Sequence, residues 1–349
     1  MTGRRTSKRI LCAMGAPMAL RWIRGFHSVI TTYHGVVGDS DWRDWETADM
    51  VPESVFRQHL ALYAKHYSVV PLRRIADALA GRDAMLPKRA LAITFDDGYR
   101  NNLRCAAPAL KEHGFTATFF LTSGFVDGVT PLWWLPLKGC VLAAQERRGT
   151  LRLPGLGPLP VGSREEAGES YRKALGLFKN LHRDGIVRRL DELQTDFPEA
   201  SRLLRDVYAP LTWADARELL SQGMEIGAHT VTHPILSRES STRARQEIFD
   251  SVRRVKEELS QDPIPFSYPN GQQGDFSQDV QAMVRDAGCY AAVAGFGGFN
   301  SAAAHLYALR RFPIGGHHTV EAVELDLCGL RMTAKHLLGA FTKRSAKEE

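Results

Sequence analysis

Cysteine is scarce in this chain, since the 349 residues contain only five and no two of them form a C-x-x-C pair. Their scattered positions argue against a metal–thiolate site and against a disulfide framework. Unpaired thiols fit a reducing compartment, so we expect a cytoplasmic location. The cysteines are Cys12, Cys105, Cys140, Cys289 and Cys328.

Long apolar runs, internal repeats and low-complexity tracts are missing as well. No stretch reaches the roughly 20 apolar residues that a membrane-spanning helix needs. Residues 10–20 are apolar, but Arg21 and Arg24 follow at once and no convincing cleavage site is present, which argues against a secretory signal. We interpret residues 1–26 as a basic amphipathic extension that either packs on the body or touches the inner membrane surface peripherally.

Neither sign of charge dominates strongly, since 45 Lys and Arg against 39 Asp and Glu give a net charge of +6. Much of the positive charge lies near the N-terminus, and residues 331–349 form a second basic tail. No nucleic-acid-binding motif accompanies these charges, so we expect no nucleic-acid partner. The hydrophobic content of 44% excludes a mainly disordered chain and allows a large core over residues 27–330.

Short apolar segments that are typical of buried strands alternate with helical patterns along the chain. Such alternation indicates parallel strands with crossover helices, and the number of strands favours a distorted (β/α)7-type barrel. We interpret residues 126–210, which interrupt the alternation, as an inserted lid and not as a separately folding domain. The strand-like segments are 27–34, 66–72, 89–97, 116–122, 224–229, 263–269 and 291–296, and the helical ones are 51–66, 101–114, 211–223, 241–260 and 278–289.

Two adjacent carboxylates follow one of the strand segments, where barrel enzymes carry their chemistry. Asp96 and Asp97 end the segment 89–97, and neighbouring side chains at a strand end point in different directions. One carboxylate can therefore bind a metal while the other stays free as a base. The alternative is an Asp-Gly turn that only caps the next helix.

His229 and His233 follow another strand segment and lie four residues apart. On one helical turn, this spacing puts both imidazoles on the same face, within reach of one ion. Many isolated pairs of this kind are surface residues, but this pair is expected at the same end of the barrel as Asp96 and Asp97. Two histidines and one carboxylate leave positions for water or substrate, which is typical of a catalytic metal site.

The motifs TFDDG (94–98) and HTVTH (229–233) resemble the first two motifs of the polysaccharide deacetylases, the NodB-homology or carbohydrate esterase family 4 fold. The resemblance covers roughly residues 28–320. It implies a metal-dependent hydrolase that removes N-acetyl groups from an amino sugar. The implied partner is a polysaccharide, an oligosaccharide or a lipid-linked glycan.

The resemblance also implies a role for each motif residue. Asp97, His229 and His233 would hold a divalent ion, most commonly zinc, with cobalt and nickel as alternatives. Asp96 would be the general base that takes a proton from the attacking water. The oxyanion would be held by the metal and by a backbone N–H.

The third family motif, R-x-P-x-G, is matched here by residues 267–271, with Ser267 in place of the arginine. Because the family's arginine orients the base, we predict that Arg311, near the last strand, replaces it. The alternative is that Arg311 pairs with a surface carboxylate. The backbone N–H of Asn270 matches the position that helps to form the oxyanion hole.

The family's general-acid histidine usually lies in a C-terminal L-x-H motif, which is not found after residue 290. Circularly permuted relatives, similar to the poly-N-acetylglucosamine deacetylases, carry it at the end of the first strand. His34 occupies that position here, so we predict His34 as the acid, with His317 or His318 as the alternative.

Several alternatives stay open from the sequence. Trp133 and Trp134 either stack on sugar rings or anchor the insertion. The same catalytic residues could remove a formyl group or an O-acetyl ester. A carbohydrate-binding protein with a decayed site is the non-enzymatic alternative, which the departure at Ser267 favours and the intact aspartates and histidines oppose.

Overall fold

The structure is a computed structural model. No helix among the residues it describes combines the length and the apolar character that crossing a membrane requires. The predicted N-terminal extension and C-terminal tail lie outside the described residues, apart from two positions in the extension. The described residues are Pro17, Leu20 and 27–330 without 83, 84, 148 and 205.

The secondary structure of the described residues alternates between strands and helices over most of the chain. The strands are β1 (Val29–Tyr33), β2 (Gly35–Val37), β3 (Met50–Pro52), β4 (Ser68–Val69), β5 (Ala90–Phe95), β6 (Thr118–Leu121), β7 (Thr150–Leu153), β8 (Gly157–Pro160), β9 (Glu225–Ala228), β10 (Phe266–Ser267), β11 (Ala292–Val293) and β12 (Phe312–Pro313). The α-helices are α1 (Glu53–His66), α2 (Leu72–Leu79), α3 (Ala107–Glu112), α4 (Ser123–Val126), α5 (Trp134–Glu146), α6 (Arg164–Phe178), α7 (Arg183–Asp196), α8 (Trp213–Ser221), α9 (Ser241–Leu259), α10 (Gln278–Asp286) and α11 (Val320–Leu327). A π-helix (Asn102–Ala106) precedes α3, and 3-10 turns cover Ala200–Arg202 and Leu236–Arg238.

Parallel strands form the central sheet in the order β11–β10–β9–β6–β5–β1–β12, and β4 pairs with β5 beside this path. The segment 309–313 connects the two edges of the sheet. Leu309 forms a parallel bridge with Val293 of β11, while Phe312 of β12 pairs with Thr31 of β1. The architecture is therefore a distorted (β/α) barrel, which confirms the predicted fold class and each predicted strand segment.

The strands of this sheet are apolar because both of their faces are covered. All six residues of β5 are buried, and Phe95 at its end stacks on Phe119 of β6 with ring centroids 4.8 Å apart. Outside the sheet, α9 buries residues at helical spacing, among them Ile248, Val252 and Val255. This pairing of apolar strands with amphipathic helices fixes the core and leaves the strand ends free for polar residues.

Helix caps also follow from the sequence. Thr212 accepts a hydrogen bond from the backbone N–H of Asp215, and the Asp215 side chain accepts one from the backbone N–H of Thr212. This capping box fixes the start of α8, inside the predicted helical segment 211–223.

The insertion contains α5, the antiparallel hairpin β7–β8, α6 and α7. Its apolar side chains pack into a cluster of their own, and Trp45, from the loop before β3, joins that cluster. The hairpin and this separate cluster were not expected from the sequence. That the insertion cannot fold alone stays a prediction.

Candidate active site

Asp96 and Asp97 lie just beyond the end of β5, and both are at least 95% buried. Asp97 has a φ of 76° and Gly98 a φ of 89°, so two successive residues adopt the left-handed conformation. This turn points the two neighbouring carboxylates at different partners. A left-handed aspartate is uncommon and its strain must be held by its surroundings, which is a feature of functional sites.

Arg311 pairs with Asp96 in a buried bidentate contact. Its Nη1 donates to Oδ1 of Asp96 at 2.8 Å and its Nη2 donates to Oδ2 at 2.7 Å. The Ser267 hydroxyl, at the position of the family's arginine, accepts a further hydrogen bond from Nη2 at 3.0 Å. Burial alone would raise the pKa of Asp96, but the guanidinium overrides it and holds this pKa well below its usual range.

Asp97, His229 and His233 form a buried cluster in which one ligand atom from each lies within 4.8 Å of the others. Oδ1 of Asp97 is 3.6 Å from Nε2 of His229 and 3.4 Å from Nε2 of His233. Burial lowers the pKa of His229 to about 4, and burial together with its neighbour His229 lowers the pKa of His233 well below its usual value. Both imidazoles are therefore neutral at pH 7, as a metal ligand must be.

The cluster fits a divalent ion by its hydrogen bonding as well as by its residue types. Both carboxylate oxygens of Asp97 are buried without a hydrogen-bond donor, and burial raises the pKa of this carboxyl to about 7. Nδ1 of His229 donates to the carbonyl oxygen of Ser267 at 2.7 Å, which leaves the Nε2 lone pair free. Unpaired buried carboxylate oxygens are costly, and a cation between these three side chains removes that cost.

The two histidines do not lie on a helical turn, so that part of the prediction is wrong. Residues 229–233 form a loop in which Thr230 and His233 have positive φ values of 64° and 57°. Buried Glu247, on α9, accepts hydrogen bonds from the N–H groups of Val231 and Thr232 at 2.9 and 2.8 Å. Because this carboxylate satisfies the loop's donors, the chain curls around it and still brings both imidazoles to one point.

A cavity of about 920 Å³ opens above these groups. Its lining includes the other predicted residues, His34 and Asn270, and the competing His317. His317 is exposed and lies 3.6 Å from Asp44, which is also exposed, whereas His318 is not among the lining residues. The structure thus brings His34, Asn270 and the two aspartates to one cavity and leaves His318 outside it.

The insertion supplies one wall of this cavity. Arg164, Gly168, Tyr171 and Leu175 recur at helical spacing on α6 and face the cavity. Two tryptophans at the start of the insertion also reach the site. Nε1 of Trp133 donates to the backbone oxygen of His233 at 3.2 Å, and the Trp134 ring packs edge-to-face on the His233 ring at 4.5 Å.

Three residues that support the site were missed from the sequence. Glu247 shapes the histidine loop, and Lys179 donates to the Asn270 side chain at 2.7 Å. Buried Lys138 donates to Tyr208 and to Asp49 on the cavity wall. Each acts on a partner in another element, at least 15 positions away, so no local motif could have indicated it.

The polysaccharide deacetylase family model matches residues 83–145 and 186–292, which contain both aspartates and both histidines. The two matched segments flank part of the insertion, and the unmatched residues 146–185 include β7, β8 and α6. The chain therefore carries a polysaccharide deacetylase domain.

The curated protein YxkH of Bacillus subtilis (strain 168), which is named as a polysaccharide deacetylase, is 30% identical over 93 residues. That match covers 26% of this chain and only 30% of the length of YxkH.

Solved structures show the fold over most of the chain. The Streptococcus pyogenes deacetylase PplD has a TM-score of 0.56 at 17% identity and covers 86% of this chain and 98% of its own. A de-N-acetylase from Aggregatibacter actinomycetemcomitans has a TM-score of 0.55 at 17% identity, covering 85% and 98%. IcaB from Ammonifex degensii has a TM-score of 0.54 at 17% identity, covering 87% and 98%.

Proposed function

We propose that this protein is a metal-dependent hydrolase that removes N-acetyl groups from amino sugars of a glycan. The observation that carries the proposal is the pairing of two differently held aspartates. Asp97 has unpaired buried oxygens beside His229 and His233, while Asp96 is held as a carboxylate by Arg311. This arrangement places a metal ligand and a separate base side by side, and metal-assisted hydrolysis of an amide uses both groups.

Asp97, His229 and His233 would hold the ion, and zinc is the metal we propose, with cobalt or nickel as alternatives. When bound, such an ion polarises an acyl carbonyl and acidifies a water molecule. Asp96 accepts one proton from the attacking water, and its bidentate contact with Arg311 keeps it ionised and fixed in orientation. The backbone N–H of Asn270 donates to the oxygen that gains charge as the carbonyl carbon becomes tetrahedral.

His34 donates a proton to the leaving nitrogen when the C–N bond breaks, so that the products are acetate and a free amino sugar. Its place at the end of β1 supports this role, because that position lines the cavity with both aspartates. His317 lines the same cavity but pairs with a solvent-exposed carboxylate, which makes it the weaker candidate.

The test is acetate release by metal-stripped protein with zinc or cobalt added back. The substrates are N-acetylglucosamine oligomers and lipid-linked N-acetyl sugars. We expect metal-dependent release by the wild type. Asp96→Asn should keep the metal and lose activity by about 10²- to 10⁴-fold, the usual contribution of a general base. Asp97→Ala, His229→Ala and His233→Ala should each lose the metal.

Matched substitutions of His34 and His317 to Ala decide the identity of the acid. We expect His34→Ala to keep the metal and lose turnover, and His317→Ala to retain most of it. The opposite result would show that the acid comes from the 315–318 loop. Release of formate or of O-linked acetate alone would transfer the function to those substrates, and failure to bind any divalent ion would contradict the proposal.

A further inference from the structure

We infer that Lys179, which follows α6 in the insertion, is a positioning residue of this site because it fixes the turn that carries the Asn270 N–H. The inference rests on the proposed function, since Asn270 matters as an oxyanion donor only if an acyl group is hydrolysed. It gives the insertion a part in the chemistry in addition to its place as a cavity wall.

The first observation is that the Asn270 side chain is bonded at both ends. Nζ of Lys179 donates to Oδ1 of Asn270 at 2.7 Å, across 91 positions in the sequence. The Asn270 Nδ2 donates in turn to Oδ2 of Asp275 at 2.5 Å. Both bonds have one ionised partner, the Lys179 ammonium in the first and the Asp275 carboxylate in the second, so both belong to the stronger, charge-assisted class.

The second observation is the backbone conformation at Asn270, which has a φ of 58°. Asparagine enters the left-handed region more readily than most residues, but the conformation still needs support from outside. Among the described residues, no hydrogen-bond acceptor receives the Asn270 N–H, although Gly271 next to it donates to Pro269 at 2.6 Å. The turn therefore presents a free N–H donor whose direction depends on how the residue is held.

The third observation is that the turn at Asn270 and Gly271 packs closely against Gly295 of the barrel. A Cβ atom at Gly295 would lie only 2.3 Å from the Asn270 carbonyl oxygen, and one at Gly271 only 2.5 Å from the Gly295 nitrogen. Gln272 adds a bond from its Nε2 to the Gly295 oxygen at 2.7 Å. With the barrel side fixed in this way, Lys179 is the contact that the insertion adds, and its loss leaves the Asn270 side chain held by Asp275 alone.

The position of a donor matters more for the transition state than for the bound substrate. A displacement of about 1 Å at such a donor can cost about 10²-fold in rate. We therefore expect Lys179→Met to lower kcat by about 10- to 100-fold and to change KM by less than about threefold. Metal content should stay as in the wild type, because the hydrogen bond of Lys179 goes to Asn270 and not to a residue of the metal cluster.

The matched control is Lys173→Met, since Lys173 is exposed on α6 and is not among the residues that line the cavity. It should leave kcat and KM unchanged. Lys179→Arg should recover part of the lost kcat because it restores a cationic donor. A rise in KM at constant kcat in Lys179→Met would overturn the inference, since it would make Lys179 a direct substrate contact.

A double-mutant cycle with Asn270→Gly tests the coupling between Lys179 and Asn270. Glycine tolerates the left-handed backbone and keeps its N–H, but it removes the side-chain amide that Lys179 binds. If Lys179 acts through that amide, Lys179→Met should cost little further kcat in the Asn270→Gly protein. Full additivity of the two losses would contradict the inference.

Hydrogen exchange of the segment 266–276 separates this inference from the proposed function, because it needs no substrate. Lys179→Met should raise the exchange of this segment, whereas Lys173→Met should not. If the wild type releases no acyl group from any substrate, the proposed function fails while exchange still reports on the contact. Unchanged exchange in Lys179→Met would overturn the positioning role whatever the activity.

Discussion

Arg311 and Ser267 together hold the Asp96 carboxylate in the way that the resemblance assigns to a single arginine of the family motif. A guanidinium can bind both oxygens of a carboxylate in one plane, which no other side chain can do. Here it reaches Asp96 from β12's side of the barrel, and the small Ser267 leaves room for it and accepts one of its hydrogen bonds. A departure from the motif at one position is thus balanced by a residue 44 positions away.

Arg311→Met should therefore affect both stability and the pH profile. Removing one partner of a buried ion pair leaves an uncompensated charge, so we expect the free energy of unfolding to fall by about 3–5 kcal/mol. Burial would then raise the pKa of Asp96 without the guanidinium to oppose it, so the proposed base would be protonated over a wider acidic range. The acid limb of kcat/KM should move to higher pH, which urea denaturation and a pH series would show together.

Arg310→Met is the control for this change, because Arg310 is the exposed neighbour and its guanidinium lies over the Phe296 ring. Its effect on stability should stay within about 0.5 kcal/mol, as for most surface substitutions. An unmoved acid limb in Arg311→Met would mean that Asp96 is not the group whose protonation limits the rate.

The residues of the site were predictable where a local motif carried them, and not where a distant partner did. Asp96, Asp97, His229 and His233 stand in short motifs at strand ends, and Arg311 was inferred from the gap at Ser267. Glu247 lies in a helix whose charged residues all look alike in sequence. Its role exists only because the histidine loop, 15 residues earlier, folds onto it.

At the scale of elements, α6 carries two glycines with opposite surroundings. A Cβ atom at Gly168 would lie 3.0 Å from Cβ and Cγ of the buried Trp45 side chain, whereas one at Gly176 would meet nothing within 4 Å. Gly176→Ala should stabilise the protein by about 0.5–1 kcal/mol, because it removes backbone freedom from the unfolded chain. Gly168→Ala should be less stable than Gly176→Ala by at least about 1 kcal/mol, because it overpacks the contact.

Thermal or urea denaturation of the two alanine variants would measure this difference. Trp45 joins the insertion's apolar cluster from outside, so Gly168→Ala should also change the fluorescence of the native protein. Equal stability of both variants would show that Trp45 can move away freely, and that α6 is not tightly fixed against the loop before β3.

Secondary-structure elements were predictable where the periodicity of apolar residues determines them, and not where tertiary contacts determine them. Short apolar runs predicted strands of the barrel, and helical patterns predicted segments such as 211–223, which contains α8. In the hairpin, β7 alternates exposed and buried residues over only four positions and β8 does not alternate regularly, so no pattern stands out in the sequence. Two histidines four positions apart can meet on a helical turn or in a curled loop. The spacing alone does not distinguish the two, whereas the left-handed backbone of Thr230 and His233 in the structure does.

At the scale of the whole molecule, the site unites parts that meet only when the barrel closes. Asp96 and Asp97 follow β5 in the middle of the sheet, whereas Arg311 belongs to the segment that connects its two edges. Lys179 comes from the insertion, which the family model leaves unmatched at that position. The Asp96–Arg311 pair, our proposed base, therefore forms only when the barrel closes, and the oxyanion donor that we propose at Asn270 depends in addition on the docked insertion.

The buried Asp97 carboxylate also links metal binding to the stability of the whole protein. Without an ion, the buried and unpaired Asp97 carboxylate destabilises the native state, so metal-stripped Asp97→Asn should melt at a higher temperature than metal-stripped wild type. Zinc at 100 times its dissociation constant should stabilise the wild type by about 2.7 kcal/mol, and it should stabilise Asp97→Asn far less. The order of the two melting temperatures should therefore reverse when zinc is added. Asp96→Asn should keep a zinc response like that of the wild type, because Asp96 is bound by Arg311 and not by the metal. An equal zinc response in Asp97→Asn and the wild type would place the ion elsewhere in the molecule.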